Sequence, residues 1–149
     1  MKETIQRVEL FCCTNMSENK GISSVTEYIE YAVKNKAIAV GIVDFNATQS
    51  FITAQEYIQN KNIKNLKLIY GIKTKLKDFK QEIHDIIILV KEQKGLKNLY
   101  TLLSNGFLNK TTREIIIEKT ELDKYREGLL YGTYGKNGEL YKKIIEIWQ

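Results

Sequence analysis

The sequence contains no proline, only two cysteines, and one histidine among its 149 residues. Without proline, collagen-like and proline-rich linker architectures are excluded. The cysteines, Cys12 and Cys13, are adjacent, and a disulfide between neighbours is sterically awkward, so we expect reduced thiols. The longest apolar runs, residues 37–43 and 86–90, are far shorter than the roughly 20 residues that a membrane-spanning helix needs. No secretory signal opens the chain, and we expect a cytoplasmic protein that does not cross a membrane.

Hydrophobic residues make up 43% of the chain, which is enough for one core, and we expect a single domain over residues 1–149. The net charge is +5, and the segment 61–97 contains ten lysines but only four acidic residues. Only three of the 23 basic residues are arginine, the side chain that reads phosphates bidentately. A solvated lysine-rich face is therefore the default interpretation, and a nucleic-acid surface is the alternative, with these candidates: Lys61, Lys64, Lys67, Lys75 and Lys77.

Apolar runs alternate with helical patterns along the chain. We expect strands at residues 7–13, 37–43, 66–72, 84–91 and 128–133. Helices are predicted from the capping box Ser24–Glu27 to residue 35, after Thr48, over residues 94–104, in one turn at 122–126, and over 139–148. Residues 105–112 are predicted as loop, and the segment 113–118 fits either a strand or a helix.

This alternation predicts an α/β fold with a parallel sheet and right-handed crossovers. Function is then expected at the carboxyl ends of the strands. Taken alone, the residues there are poor catalytic material. No nucleotide-binding glycine motif, HExxH motif or paired CxxC motif occurs in the sequence.

Five consecutive blocks of the sequence resemble the PHP domain, the polymerase and histidinol phosphatase domain. They read RVELFCCTNMS, AIAVGIVDFNATQSF, LKLIYGIKTKL, HDIIILVKEQKGLKNLYTLLS and KYREGLLYGTYGKNGELY. They are most similar to the version within the DNA polymerase III alpha subunit of Gram-positive bacteria, and GLKNLY and KYREGLLYG are the most specific of them. The resemblance implies a partial, PHP-like (β/α) barrel that lacks the last strands of the full barrel and the Asp-x-His pair they carry.

The family's metal site holds up to three ions, and the resemblance implies that this chain has lost most of its ligands. The family's His-x-His-Thr reads Phe11-Cys12-Cys13-Thr14 here, and its Thr-Asp-His reads Val43-Asp44-Phe45. A loop carboxylate, a strand glutamate and a cysteine correspond to Lys20, Lys73 and Gly135. Three positions keep a residue able to bind a metal: Cys13, Asp44 and His84.

Chemistry independent of the family leads to the same expectation. A cluster of divalent ions needs several converging imidazoles and carboxylates, and an ammonium such as that of Lys73 repels cations. We therefore expect no metal, no cofactor and no catalytic residue. Lys73 is predicted to pair with Asp44 in place of a metal, and Phe11 and Phe45 are predicted to fill the vacated space as core. His84 is expected to be a hydrogen-bonded structural residue.

These observations leave three functions open. The first is a catalytically inactive, PHP-like module that contacts other polymerase domains or replisome proteins. The second is a metal-dependent phosphoesterase or 3′–5′ proofreading exonuclease with an irregular ligand set, although only residues 75–83 stand where the Gram-positive polymerase carries its exonuclease domain. The third is a lysine-rich module that binds DNA. An incomplete barrel would also leave a sheet edge exposed, which predicts a homodimer.

Overall fold

The structure, a computed structural model, describes residues 7–17, 21–109 and 115–133. The strands are β1 (Val8–Cys12), β2 (Ala39–Phe45), β3 (Lys67–Lys77), β4 (Ile83–Val90), β5 (Ile116–Glu118) and β6 (Leu129–Thr133). The helices are α1 (Val25–Lys34), α2 (Gln49–Asn60), α3 (Gln93–Leu108) and α4 (Lys119–Lys124). None of the helices in the described ranges is long and apolar enough to cross a membrane.

The strands form a six-stranded, mostly parallel sheet, which confirms the predicted α/β class. β1 pairs with β2 and β5 with β3 in parallel, whereas β6 pairs antiparallel with β4. The chain divides into two compact units, Met1–Ile72 and Lys73–Gln149, with the boundary inside β3. Whether they act as one domain stays a prediction.

In the first unit, α1 begins at the predicted capping box. The Ser24 hydroxyl accepts a hydrogen bond from the Glu27 amide at 3.3 Å, and the Glu27 carboxylate accepts one from the Ser24 amide at 2.7 Å. Thr48 precedes α2 as predicted, but its side chain makes no capping hydrogen bond. The core of this unit includes Ile29, Val40, Ile42, Val43, Phe51 and Ala54.

In the second unit, two elements extend beyond the sequence-based expectation, and one ambiguous segment is resolved. β3 extends five residues beyond Ile72, because Thr74 and Leu76 alternate with partly exposed lysines and are buried on one face. α3 continues to Leu108 through the predicted loop, and the ambiguous segment contains the short strand β5. The predicted helix at 139–148 lies outside the described residues. The core of this unit includes Leu76, Ile86, Ile88, Leu99, Leu102, Ile117 and Leu122.

The two sequence blocks most specific to the polymerase branch contact each other through their backbones. Gly95, in the first turn of α3, lies so close to Gly128 that a Cβ on Gly95 would be 1.9 Å from the Gly128 carbonyl oxygen. That oxygen also accepts a hydrogen bond from the Lys91 amide at 2.9 Å. Asn98 donates to the Glu127 carbonyl oxygen at 2.8 Å. The start of α3 and the entry to β6 therefore form one interface, in which side chains at the two glycines would collide with backbone.

We expect Gly128→Ala to lower the free energy of unfolding by about 2 to 5 kcal/mol. Its φ of +76° disfavours a side chain, and the added Cβ would lie 2.6 Å from the Gly95 amide nitrogen. Gly132→Ala is the control, because its Cβ would meet nothing nearer than Ile87 at 4.0 Å. Urea denaturation of the two variants measures the difference, and equal stability would contradict the close-approach interpretation.

Candidate functional site

Asp44, at the end of β2, is the centre of a buried hydrogen-bond cluster in the first unit. Oδ1 accepts from the Thr14 amide at 2.6 Å and from the Ser17 hydroxyl at 3.0 Å. Oδ2 accepts from the Thr14 hydroxyl at 2.8 Å and from the Ser50 hydroxyl. The carboxylate is fully buried, and each of its oxygens has two donors. A carboxylate offers about four lone-pair positions, so these contacts fill all of them.

The sequence places this cluster where the strand ends were expected to meet. Thr14 and Ser17 follow β1, Asp44 lies in β2, and Ser50 lies in the first turn of α2. Ser17 also accepts a hydrogen bond from the Phe45 amide at 2.7 Å, which connects the β1 loop to the end of β2. Of the four residues in this cluster, the sequence suggests only Asp44 as a metal ligand. Thr14, Ser17 and Ser50 were not predicted, because hydroxyl residues are not among the usual metal ligands. Their positions directly after β1 and at the start of α2 could have indicated a polar cluster at the strand ends.

The first-strand positions carry no ligand set for a metal cluster. Cys12 is buried, and burial, followed by the charge of Glu9, raises the pKa of its thiol to about 11. Cys13 is partly exposed, and its carbonyl oxygen accepts a hydrogen bond from the Tyr28 hydroxyl at 3.1 Å. Phe11 and Phe45 are half-buried, so the expectation that they become core is only partly met. Phe11 instead lines an open cavity of about 200 Å³ beside α1.

The remaining predicted site positions are distributed over both units. Lys73 is 9% exposed, and its Nζ lies 3.1 Å from Oδ2 of Asp85 within the second unit. The pair of Lys73 with Asp44 stays a prediction. Lys20 and Gly135 lie outside the described residues.

The lysine candidates for nucleic-acid binding also fall in both units. Lys61, Lys64 and Lys67 are exposed on the first unit. Lys75 and Lys77 are partly buried on the second, where Nζ of Lys77 lies 3.6 Å from Oε1 of Glu118. The exposed lysines therefore belong to the region from the end of α2 to the start of β3.

His84 belongs to a second polar cluster, at the connection between β3 and β4. Its Nε2 lies 3.0 Å from Oδ2 of Asp78 and 3.8 Å from Oε2 of Glu82. His84 and Asp78 are buried, whereas Glu82 is exposed. Burial raises the pKa of Asp78, but hydrogen bonds from His84 and from the Glu82 amide outweigh it and the net shift is downward. Among the described residues, this is the one group of three or more histidine, cysteine and carboxylate side chains with converging ligand atoms.

Asp78 and Glu82 are absent from the candidates that the sequence suggests. A weak signal for them exists: Glu82 and His84 are two residues apart at the start of a strand and so share a face, and Asp78 precedes them across a short turn. The expected hydrogen-bonded role of His84 agrees with its contact to Asp78.

We expect Asp44→Asn to lower the free energy of unfolding by about 2 to 5 kcal/mol, because an amide nitrogen cannot accept the two hydrogen bonds that one carboxylate oxygen receives. Glu9→Gln is the control: Glu9 forms an exposed ion pair with Arg7, and such pairs contribute about 1 kcal/mol or less. Thermal and urea denaturation compare the variants. A neutral Asp44→Asn would contradict the role of Asp44 as the anchor of this cluster.

Cys12 is expected to be unreactive in the folded protein, because its thiol is buried and remains protonated at neutral pH. In Cys13→Ser, Cys12 is the only thiol, and a thiol reagent such as DTNB should label it only after unfolding in guanidinium chloride. Cys12→Ser leaves the partly exposed Cys13, which should react in the native state. Rapid labelling of native Cys12 would contradict this assignment.

The sequence and the fold are both similar to known proteins. Residues 10–147 match the PHP domain family. A PolC-type DNA polymerase III from Caldanaerobacter subterraneus is 31% identical over 131 residues, which cover 86% of this chain and 9% of the polymerase. A PolC-type DNA polymerase III from Clostridium perfringens is 37% identical over 97 residues, which cover 65% of this chain and 7% of the polymerase.

Among solved structures, a protein from Bifidobacterium adolescentis assigned as a metal-dependent phosphoesterase matches with a TM-score of 0.52 at 18% identity. The match covers 69% of this chain and 34% of that protein, and it bears on the fold alone. The chain spans less than a tenth of the length of the two polymerases. The family match covers nearly all of the sequence, and the chain belongs to the PHP domain family.

Proposed function

We propose that this chain is a catalytically inactive PHP domain that serves as a structural or protein-interaction module in bacterial DNA replication. The relatives that match most of its length are PolC-type polymerases, which favours a replication context and a cytoplasmic location. Its partners would be other polymerase domains or replisome proteins. The homodimer predicted from the exposed sheet edge stays a prediction.

The observation that carries this proposal is the state of Asp44. Four donors from Thr14, Ser17 and Ser50 occupy both carboxylate oxygens, so the residue could bind a metal only by giving up hydrogen bonds in a fully buried position. The neighbouring positions Phe11 and Phe45 offer rings where the family has imidazoles. These residues do not fit the family's ion cluster.

The phosphoesterase alternative gains little support from the fold, because the similarity to the Bifidobacterium protein is at 18% identity. The DNA-binding alternative has one observation in its favour, the exposure of Lys61, Lys64 and Lys67. Flexible lysines on a surface are also the ordinary solvated face of a basic protein. The inactive module therefore remains the proposal that the described contacts support best.

Two measurements test the proposal. The purified chain should not hydrolyse bis(p-nitrophenyl) phosphate, or degrade single-stranded DNA from the 3′ end, with Mn²⁺ or Zn²⁺ present. It should also bind a PolC-type polymerase, such as that of Clostridium perfringens, equally well with and without EDTA. Turnover that requires metal would overturn the proposal in favour of a phosphoesterase or nuclease.

DNA binding is the third outcome. Binding to primed DNA that falls steeply with salt, and that is lost in a Lys61→Glu/Lys64→Glu/Lys67→Glu variant, would favour the nucleic-acid module instead. Lys34→Glu/Lys36→Glu is the charge-matched control for Lys61→Glu/Lys64→Glu on the same unit, because Lys34 and Lys36 are exposed at the end of α1 and outside the candidate surface.

A further inference from the structure

We propose that Asp78, Glu82 and His84 form a binding site for one divalent transition-metal ion of the Zn²⁺ type at the connection between β3 and β4. The three residues supply two carboxylate oxygens and one imidazole nitrogen, and all three ligand atoms lie within 4.8 Å of one another. Imidazole together with carboxylates suits Zn²⁺ and Mn²⁺ better than Mg²⁺ or Ca²⁺, which prefer oxygen ligands alone. Of these three residues, only His84 corresponds to a ligand position in the family comparison above.

The spacing of the ligand atoms fits a single ion. Zinc bonds to nitrogen and oxygen of about 2.0 to 2.2 Å in a tetrahedron place neighbouring ligands roughly 3.3 to 3.6 Å apart. The distances from Nε2 of His84 to Oδ2 of Asp78 and to Oε2 of Glu82 are 3.0 and 3.8 Å, on either side of that value. The spacing is therefore compatible with a single ion that replaces the hydrogen bond between His84 and Asp78.

The backbone of the connection holds these ligands in place. The Asp78 amide donates to the Glu82 carbonyl oxygen at 2.9 Å, and the Gln81 amide donates to the Asp78 carbonyl oxygen at 3.0 Å. Oδ1 of Asp78 accepts from the Glu82 amide at 2.8 Å, so that Oδ2 is directed toward His84. The hydrogen bond from the Glu82 amide to Oδ1 orients the Asp78 carboxylate, as outer-shell contacts orient the ligands of known metal sites.

Burial and charge favour one bound ion with access from solvent. Asp78 and His84 are 4% and 7% exposed, whereas the side chain of Glu82 is 51% exposed and gives the ion a route of entry. Two carboxylates and a neutral imidazole balance the charge of a divalent cation. Three protein ligands leave a fourth position for water. A single ion here would join the end of β3 to the start of β4 and does not rebuild the family's ion cluster.

Isothermal titration of the whole chain with ZnCl₂ is the test, and we expect one ion per chain. Glu82→Gln removes one ligand from an exposed position and should leave the fold intact. It is expected to weaken zinc binding at least about tenfold, since loss of even an outer-shell partner costs 10- to 100-fold. Glu92→Gln is the matched control, because Glu92 is an exposed carboxylate that makes no side-chain cap on α3, and it should bind zinc as the unmodified chain does.

Hydrogen exchange is a second measurement, and it reports where zinc binds as well as whether it binds. Zinc should slow hydrogen exchange of the Gln81 and Glu82 amides in the unmodified chain and in Glu92→Gln, but not in Glu82→Gln. The inference is overturned if no zinc binds, if Glu82→Gln binds it equally well, or if binding is lost in Cys13→Ser instead. None of these results affects the proposed function, which metal-dependent turnover or salt-sensitive DNA binding would contradict.

Discussion

The carboxylate of Asp44 is the constraint around which the first unit is organised. A fully buried charge is costly unless hydrogen bonds replace its hydration, and here one loop and one helix terminus supply four donors. Thr14 and Ser17 bring the chain after β1 to the end of β2, and Ser50 brings the start of α2 to the same point. The carboxylate therefore stabilises the edge of the sheet where the family places its chemistry, and the same contacts occupy the oxygens a metal would need.

The second unit depends on backbone proximity rather than on a charge. Gly95 and Gly128 allow the first turn of α3 and the entry to β6 to approach closely, and the amide of Lys91 and the side chain of Asn98 bond to the same short segment. This contact gives a physical reason for the two motifs that characterise the polymerase branch. They are two halves of one interface, and the close approach of the two glycines is a requirement of the fold.

Local patterns predicted most of this fold, and contacts between distant residues account for what they missed. The capping box of Ser24 and the apolar run of β2 determine their elements within a few neighbouring residues, so both were predictable. The antiparallel pairing of β6 with β4 depends on how the chain returns through α3, β5 and α4, which no local pattern encodes. In the site, Asp44 was identifiable from the sequence, but its donors lie 6 to 30 residues away along the chain. The cluster of Asp78, Glu82 and His84 was not predicted from the sequence, because a turn brings these side chains together.

The two polar clusters also differ in how their carboxylates are held. Around Asp44, hydroxyl and amide donors fill the acceptor positions of the carboxylate, so hydrogen bonds offset its burial. Around His84, hydrogen bonds from the backbone of the turn between β3 and β4 fix Asp78. The His84 imidazole contacts Oδ2 of Asp78, and the Glu82 side chain is exposed to solvent. The geometry at this turn depends on backbone hydrogen bonds between residues 78 and 82, and Asp78 and Glu82 lie outside the ligand positions of the family comparison. The proposed loss of the family's ion cluster and the proposed single-ion site at the turn therefore have only His84 in common.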